Sequence, residues 1–403
     1  MSQDLKHVSC PVCGYSLAAV FFSPGRYPLA TLGWPQTAGE AMGMARHELD
    51  FVQCPACTHV WNRAFDLDCI PYQVNPNRMF NAGATWTGHL EDTRNLILAE
   101  ISDDPVIIDI GCGEGHFVRG LGKALGGKGR FVGFDLNSAD DTVGGIEFYQ
   151  RYFDPLEDMA IFKPDVVVMR HVIEHFSEPS PFLEKLSWAA EILERPCLLF
   201  VEVPCIDRVF ETARLSDFFY EHVSHFTTRS FARLMSKAGN IEHLGHGYGN
   251  EVVFALVDLT VPSGSTRNVD LATQFEERSH VSRFEIKQQL DKLKAADAKV
   301  AIWGGTGKAA AFMQYFDVDP DSFPLVIDSD RSKVGTFVPG LGQKILGVET
   351  LTGMDLDAVI IPSQWRAKDI VREMDALNTC VKQILIEHEG ALIDFDQASH
   401  PYR

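Results

Sequence analysis

Apolar residues in the middle of this chain come in short unbroken runs rather than in alternation. Residues 106–108, 130–134, 164–169 and 197–203 each contain such a run, and a shorter one lies within 147–149. Runs of this length, bounded by Gly, Pro, Asp or Asn, predict strands covered on both faces. Between them, apolar residues recur at helical spacing over 117–125, 182–193 and 228–238, and over 91–101 ahead of the first run. Strand and helix alternating in this way predict a parallel sheet with helices on both faces. Pro262, Ser263 and Gly264 then mark a boundary. A charged helix is expected over 269–294, after which the alternation restarts. Strands are predicted at 299–303, 325–327, 358–361 and 383–386, with helices at 308–315 and 367–378. The chain is therefore expected to fold in three parts: 1–75, 76–260 and 261–403.

The first part carries two C-P-x-C turns, Cys10/Cys13 and Cys54/Cys57. Each brings two thiolates to one side of a tight turn, and the two together make the tetrahedral Cys₄ set that zinc prefers. With all four corners filled by protein, such a zinc is structural. Cys69 and His59 are read as bystanders. Residues 66–93 are rich in Pro, Asn, Gly and aromatics. They serve either as a linker or as a lid carrying Tyr72, Asn81 and Trp86 toward a substrate.

The first apolar run of the second part ends in D-I-G-C-G-E-G, with Asp109 followed by Gly111, Gly113 and Gly115. Glycines let a backbone approach a ligand, and the following helix offers unsatisfied N–H groups. The second run ends in Asp135-Leu136, where an acid is placed to accept from ribose hydroxyls. Acids at Asp109 and Glu114 would repel a pyrophosphate and suit the ammonium of a methionine moiety. Phe153-Asp154 stands where an adenine amino group would be held, and Arg170-His171 closes the fourth strand. These residues, with G-F-D-L-N and D-V-V-V-M-R-H-V-I-E-H-F, resemble the class I S-adenosylmethionine-dependent methyltransferases. The resemblance implies a seven-stranded doubly wound sheet with S-adenosylmethionine at Asp109, Gly111, Gly113, Gly115, Asp135, Leu136, Phe153, Asp154, Arg170 and His171. His171–His175 also matches the H-x-x-E-H signature of a metalloprotease, but it begins at a strand end rather than on a regular helix. His171 or Glu174 is left as a residue that could touch substrate, and Glu202 is expected to point into the ligand crevice.

Four acid–base groups, Tyr220, Glu221, His222 and His225, fall in D-F-F-Y-E-H-V-S-H-F just before a helix. Histidine titrates near neutrality without tuning. His222 is therefore expected as the base, oriented by Glu221, with His225 as second choice and Tyr220 as a donor to an enolate oxygen.

In the third part, G-G-T-G-K-A is neither a Walker A loop nor a complete G-x-G-x-x-G. The turn of Gly305, Thr306 and Lys308, with Asp328 nearby, is expected to bind phosphate and ribose of a substrate. The order Cys₄ module, methyltransferase core and glycine-turn lobe resembles the bacterial sugar C-methyltransferases. That resemblance implies methylation of a carbon beside a ketone on a nucleotide-activated deoxysugar. Glu221 and His222 match that family's Glu-His, while Phe219 stands where it has Tyr and Tyr220 where it often has His. This departure leaves O- or N-methylation as the alternative and a non-catalytic binding module as a distant third.

The expected fold is thus α/β: a small zinc-binding module, a doubly wound class I methyltransferase domain and a Rossmann-like lobe. The formal charge of −19, from 36 basic and 55 acidic residues, argues against a nucleic-acid partner. No run approaches the ~20 apolar residues of a membrane span. No apolar segment follows the first residues, so no signal peptide is expected. A cytoplasmic monomer or homodimer acting on a small molecule is the resulting expectation.

Overall fold

The computed structural model describes residues 5–72, 83–138 and 140–403. It divides into two compact units, Met1–Ser265 and Thr266–Arg403.

In the first unit, five parallel strands form the centre of an eight-stranded sheet. Their order is Leu198–Pro204, Val166–Arg170, Val106–Ile110, Arg130–Phe134 and Ile146–Tyr149. Val252–Leu259 pairs antiparallel with Leu198–Pro204, and Gly239–Gly247 pairs antiparallel with Val252–Leu259. The five parallel strands are those read from the sequence, and the two antiparallel ones, not placed by that reading, complete the seven that the resemblance implied. The eighth, Asp141–Val143, is a hairpin edge on Ile146–Tyr149. The unbroken apolar runs have the cause inferred from them. Ile107 packs with Phe117, Leu121 and Phe131 on one side of the sheet, and Ile108 with Val132, Val167 and Val201 in a separate cluster. The chain leaves Val106–Ile110 for Arg130–Phe134 on one side and later returns to Val166–Arg170 on the other. This reversal opens the crevice at the carboxyl ends of those strands, where open α/β sheets bind ligands.

The N-terminal residues form an antiparallel sheet of Leu5–His7, Leu17–Tyr27, His47–Gln53, Val60–Asn62 and Ser224–His225. Its fifth strand comes from the segment read as catalytic. The boundary expected near residue 75 does not separate two compact bodies. Cys10, Val12, Cys54, Cys57 and Trp61 belong to the same buried cluster as Ile108, Phe134 and Leu199. The hydroxyl of Ser180 donates to Pro11 O (2.7 Å) and Arg229 donates to Ala56 O (2.8 Å). A segment of this size has too little core to stand alone, and here it draws on the eight-stranded sheet for one.

The helix expected over 91–101 is Ala84–Leu98, beginning after Gly83. It therefore takes in Trp86, which is buried rather than part of a lid. Among the described residues no helix is long and apolar enough to cross a membrane.

In the second unit, Ile345–Gly347, Leu325–Asp328, Val300–Trp303, Ala358–Ile361 and Ile384–His388 lie parallel, with Ala391–Asp394 antiparallel at one edge. The strands Ile345–Gly347 and Ala391–Asp394 were not expected; both are short edge strands with a weak apolar signal. The long helix is Ser265–Ala295, and Ile286 and Leu290 from its later turns enter this lobe's core.

Candidate functional site

At the crevice, the glycine turn is held from the second strand. Asp135 accepts from Gly113 N–H (2.9 Å) and from Asn137 N–H (2.8 Å). Gly111 and Gly115 are required by packing, since side chains there would press on Val172 and Phe148. Gly113 differs. Its φ is +54°, and no described atom lies within 4 Å of where a β-carbon would sit. That conformation is costly for other residues, and the open space beside it suits a ligand laid on the backbone.

Asp109 is 3 % exposed. Burial pushes its carboxyl up to about 7, and the opposing pull of Arg170 is insufficient to reverse this. Asp154 is exposed, but one carboxylate oxygen is taken by the N–H groups of Leu156 and Glu157 (both 2.9 Å), which it caps. Phe153 is buried against Phe134, with ring centroids 5.2 Å apart, so its side chain belongs to the core rather than to the crevice. Leu136 is partly buried, and its carbonyl accepts from Gln150.

The ends of the fourth and fifth strands carry a buried ionic cluster. Glu202, expected to point into the crevice, is fully buried instead. It accepts from Arg170 (2.6 and 3.1 Å) and bonds His89 Nε2 (2.6 Å). Burial alone would raise its pKa. Arg170, His171 and His89 outweigh burial and hold the carboxyl far below its usual range. Arg170 is thereby spent on Glu202 and on the rings of Trp86 and Phe117, at 5.4 and 4.5 Å. His89 was not anticipated. It sits on Ala84–Leu98, a helix whose opening A-T-W-T-G-H has few strong helix formers, and no motif marks it.

His171 follows the fourth strand with φ +55°, a left-handed conformation costly for a side chain of this size. Its Nδ1 stands 3.6 Å from Glu174 and its Nε2 3.2 Å from Glu202, the latter off the hydrogen-bond direction. Burial disfavours its charge, but these two carboxylates prevail and raise its pKa to about 9. The next turn, Ile173–His175, presents Glu174 and His175. His175 Nδ1 lies 2.7 Å from the Glu221 carbonyl and 3.1 Å from the Tyr72 hydroxyl. Tyr72 therefore reaches this site from the N-terminal segment, and burial pushes its phenol pKa well up, keeping it a donor. Asn81 lies outside the described residues.

The Tyr220–His225 segment divides by direction. His222 is partly exposed, and its ring lies against His175 (4.9 Å) and Phe219 (4.3 Å). Burial, then the neighbouring histidines 175, 225 and 171, depress its pKa well below the usual value, so the ring stays neutral. The other three do not take the expected roles. Glu221 is fully buried and accepts from the N–H groups of Ala30 (3.1 Å), Thr31 (2.7 Å) and Leu32 (3.0 Å). It clamps the loop that follows the strand Leu17–Tyr27 and does not orient His222. Tyr220 is buried, and its hydroxyl is engaged by the backbone of Asp66 (2.8 and 3.3 Å). His225 lies in the fifth strand of the N-terminal sheet between Phe51 and Phe218, its Nε2 3.1 Å from Asp217 O. Burial lowers its pKa to about 4. The chain alternates here between lining the crevice and packing the N-terminal sheet, which a list of acid–base residues does not reveal.

The four cysteine sulfurs lie within 4.8 Å of one another, with Cys10–Cys57 at 3.6 Å and Cys13–Cys54 at 3.5 Å. A tetrahedron with Zn–S bonds of ~2.3 Å has edges of ~3.8 Å, so the set fits zinc. The two turns are built alike, with Gly14 N–H bonding Cys10 O and Thr58 N–H bonding Cys54 O (both 2.9 Å).

In the second unit, Gly305 N–H donates to Asp328 Oδ2 (3.1 Å), and Ile345 fills the space a side chain on Gly305 would need. Thr306 lies in the same turn. Lys308 bonds Gln364 and stands 4.6 Å over the Trp365 ring.

Comparison with known proteins agrees with this layout. Residues 85–240 match the family model of a methyltransferase domain, and residues 263–384 match that of a C-methyltransferase C-terminal domain. No curated protein matches the chain. Similar solved structures include an S-adenosylmethionine-dependent methyltransferase from Aquifex aeolicus, at 16 % identity and TM-score 0.30, covering 41 % of this chain and 89 % of that one. Another is the plantazolicin methyltransferase BpumL in complex with SAH, at 16 % identity and TM-score 0.33, covering 44 % and 84 %. The mitomycin 7-O-methyltransferase MmcR is similar at 15 % identity and TM-score 0.32, covering 43 % and 55 %. The chain thus carries a match to a methyltransferase domain over residues 85–240, followed by a match to a C-methyltransferase C-terminal domain over residues 263–384.

Proposed function

We propose that the chain transfers a methyl group from S-adenosylmethionine to a carbon beside a ketone on a nucleotide-diphosphate-activated deoxysugar. The observation that carries this reading is the match of residues 263–384 to a C-methyltransferase C-terminal domain. Asp135 binds the cofactor ribose, Asp109 its ammonium, and the Gly113 backbone lies against it. Asp154 keeps one carboxylate oxygen for adenine. Methyl transfer from a sulfonium is an in-line displacement, so positioning supplies much of the rate. The acceptor carbon becomes nucleophilic on losing its α-proton. His222, neutral and at the crevice, takes that proton. Tyr72 supplies the hydroxyl beside the developing enolate, in the place first assigned to Tyr220. The carbanion takes the methyl group, and S-adenosylhomocysteine leaves. Gly305, Thr306, Lys308 and Asp328 hold the nucleotide. Zinc in the Cys₄ set is structural.

The test is deuterium exchange at the acceptor α-carbon in D₂O without S-adenosylmethionine. Exchange that disappears in His222→Asn supports the reading. Methyl transfer without any exchange moves the acceptor to oxygen or nitrogen.

A further inference from the structure

We propose a second metal site, distinct from the four cysteines, in which Glu174, His175 and His222 bind one divalent cation. The ligand atoms of the three side chains lie within 4.8 Å of one another, and they come from two separate stretches of chain, residues 174–175 and residue 222. Two imidazoles and one carboxylate form a set that suits Mn²⁺, Fe²⁺, Co²⁺ or Zn²⁺ and leaves coordination positions open.

A second observation points the same way. Glu174 is 1 % exposed, and among the described residues neither of its carboxylate oxygens has a hydrogen-bond partner. The nearest cationic group, His171 Nδ1, stands 3.6 Å away. That ion pair is long and His171 is shared with Glu202, so Glu174 keeps two buried oxygens without hydrogen bonds, a costly arrangement that a bound cation would relieve. By contrast Glu202, the other buried carboxylate here, is fully engaged by Arg170 and His89. The surroundings also orient a ligand. His175 Nδ1 faces the Glu221 carbonyl and the Tyr72 hydroxyl. A proton held there puts the ring's lone pair on Nε2 and fixes the tautomer, as outer partners do at metal centres. H-x-x-E-H thus serves here as part of a metal set, with the third ligand arriving from the strand-turn at His222 rather than from a helix.

The consequence deepens the proposed function and rests on it only in part. An ion in this position would polarise a carbonyl or hydroxyl oxygen of the acceptor. While bound, it would occupy the lone pair of His222, so proton removal by His222 belongs to the metal-free chain and added ion is expected to suppress α-carbon exchange.

Mn²⁺ is the probe, because it favours nitrogen and oxygen ligands over thiolates and leaves the cysteine set to zinc. The full-length, zinc-loaded chain is titrated with Mn²⁺, and free ion is followed by electron paramagnetic resonance. One Mn²⁺ per chain is expected, with affinity at least tenfold lower in Glu174→Gln and in His222→Asn. Zinc content and S-adenosylhomocysteine binding, measured alongside, should match the parent and so report folding. No saturable Mn²⁺ binding, or unchanged binding in both variants, overturns the site. Neither result depends on methyl transfer, so the deuterium-exchange test fails or succeeds separately.

Discussion

The two glycine turns of this chain are built on one plan and surrounded differently. Each follows a buried parallel strand, and in each an N–H is held by the acid ending the next strand: Gly113 by Asp135 (2.9 Å) and Gly305 by Asp328 (3.1 Å). Around the first, Asp109, Arg170, His171, Glu174, His175, His222 and Tyr72 converge from four separate segments. Around the second, Asp328 is buried, Lys333 stands 3.5 Å from it, and Lys308 is drawn aside to Gln364 and Trp365. The shared hydrogen bond is a property of strand–glycine–helix geometry. The chemistry is a property of what other segments deliver to the turn. A glycine turn alone therefore marks a place where a ligand can lie, and says little about what is done to it.

The largest effect should come from the neighbourhood that only the first turn has. His222→Asn is expected to reduce turnover by roughly 10²–10⁴-fold, with S-adenosylhomocysteine affinity unchanged by calorimetry. Near-normal turnover would remove the chemical distinction between the turns. Glu221→Gln should act on folding instead, costing about 1.5–3 kcal/mol, read as a lower urea midpoint. An unshifted midpoint together with lost turnover would restore the orienting role that the geometry denies it.

Exchanging the two acids tests the shared plan directly. Asp135→Ala should weaken S-adenosylhomocysteine binding by about 10–100-fold, or ~1.4–2.8 kcal/mol. Asp328→Ala should leave that affinity alone and raise the KM for a nucleotide sugar about tenfold. If Asp328→Ala weakens cofactor binding as well, the two turns do not serve different ligands.

The smallest effect concerns pH. Burial holds the Asp109 carboxyl at about 7, up from 3.8. Below 7 it is protonated and neutral, and above 7 it carries the charge that, in the proposed reading, pairs with the cofactor ammonium. Cofactor affinity should therefore rise as pH increases toward 7 and level off above it, at most about tenfold per unit below. Asp109→Asn should flatten that profile; an unaltered slope would assign it to another group.

The central sheet was readable because a strand covered on both faces must be apolar at every position. Residues 106–108 and 198–201 show that without ambiguity. The Cys₄ set was readable because two C-P-x-C turns have few other uses. The Tyr220–His225 segment was not. Its four acid–base residues look equivalent in a list, yet Glu221 binds three backbone N–H groups of residues 30–32 and Tyr220 binds Asp66. Those partners lie more than 150 positions away in sequence, and nothing local announces them. His89 went unnoticed for the same reason, since its partner Glu202 lies 113 residues on.

Sequence by itself determined most of the parallel strands, the glycine turns, the acids that end the second strand of each parallel sheet, and the cysteine pairs. All of these are set by contacts within a few residues or by a period along the chain. Only the tertiary structure decided which polar groups face the crevice and which hold the N-terminal sheet to the core. It also decided that Tyr72 and His175 meet beside His222, and that Glu174 lies buried among them. Those outcomes depend on where distant segments cross, and burial then sets which groups are charged, neutral or in need of a partner.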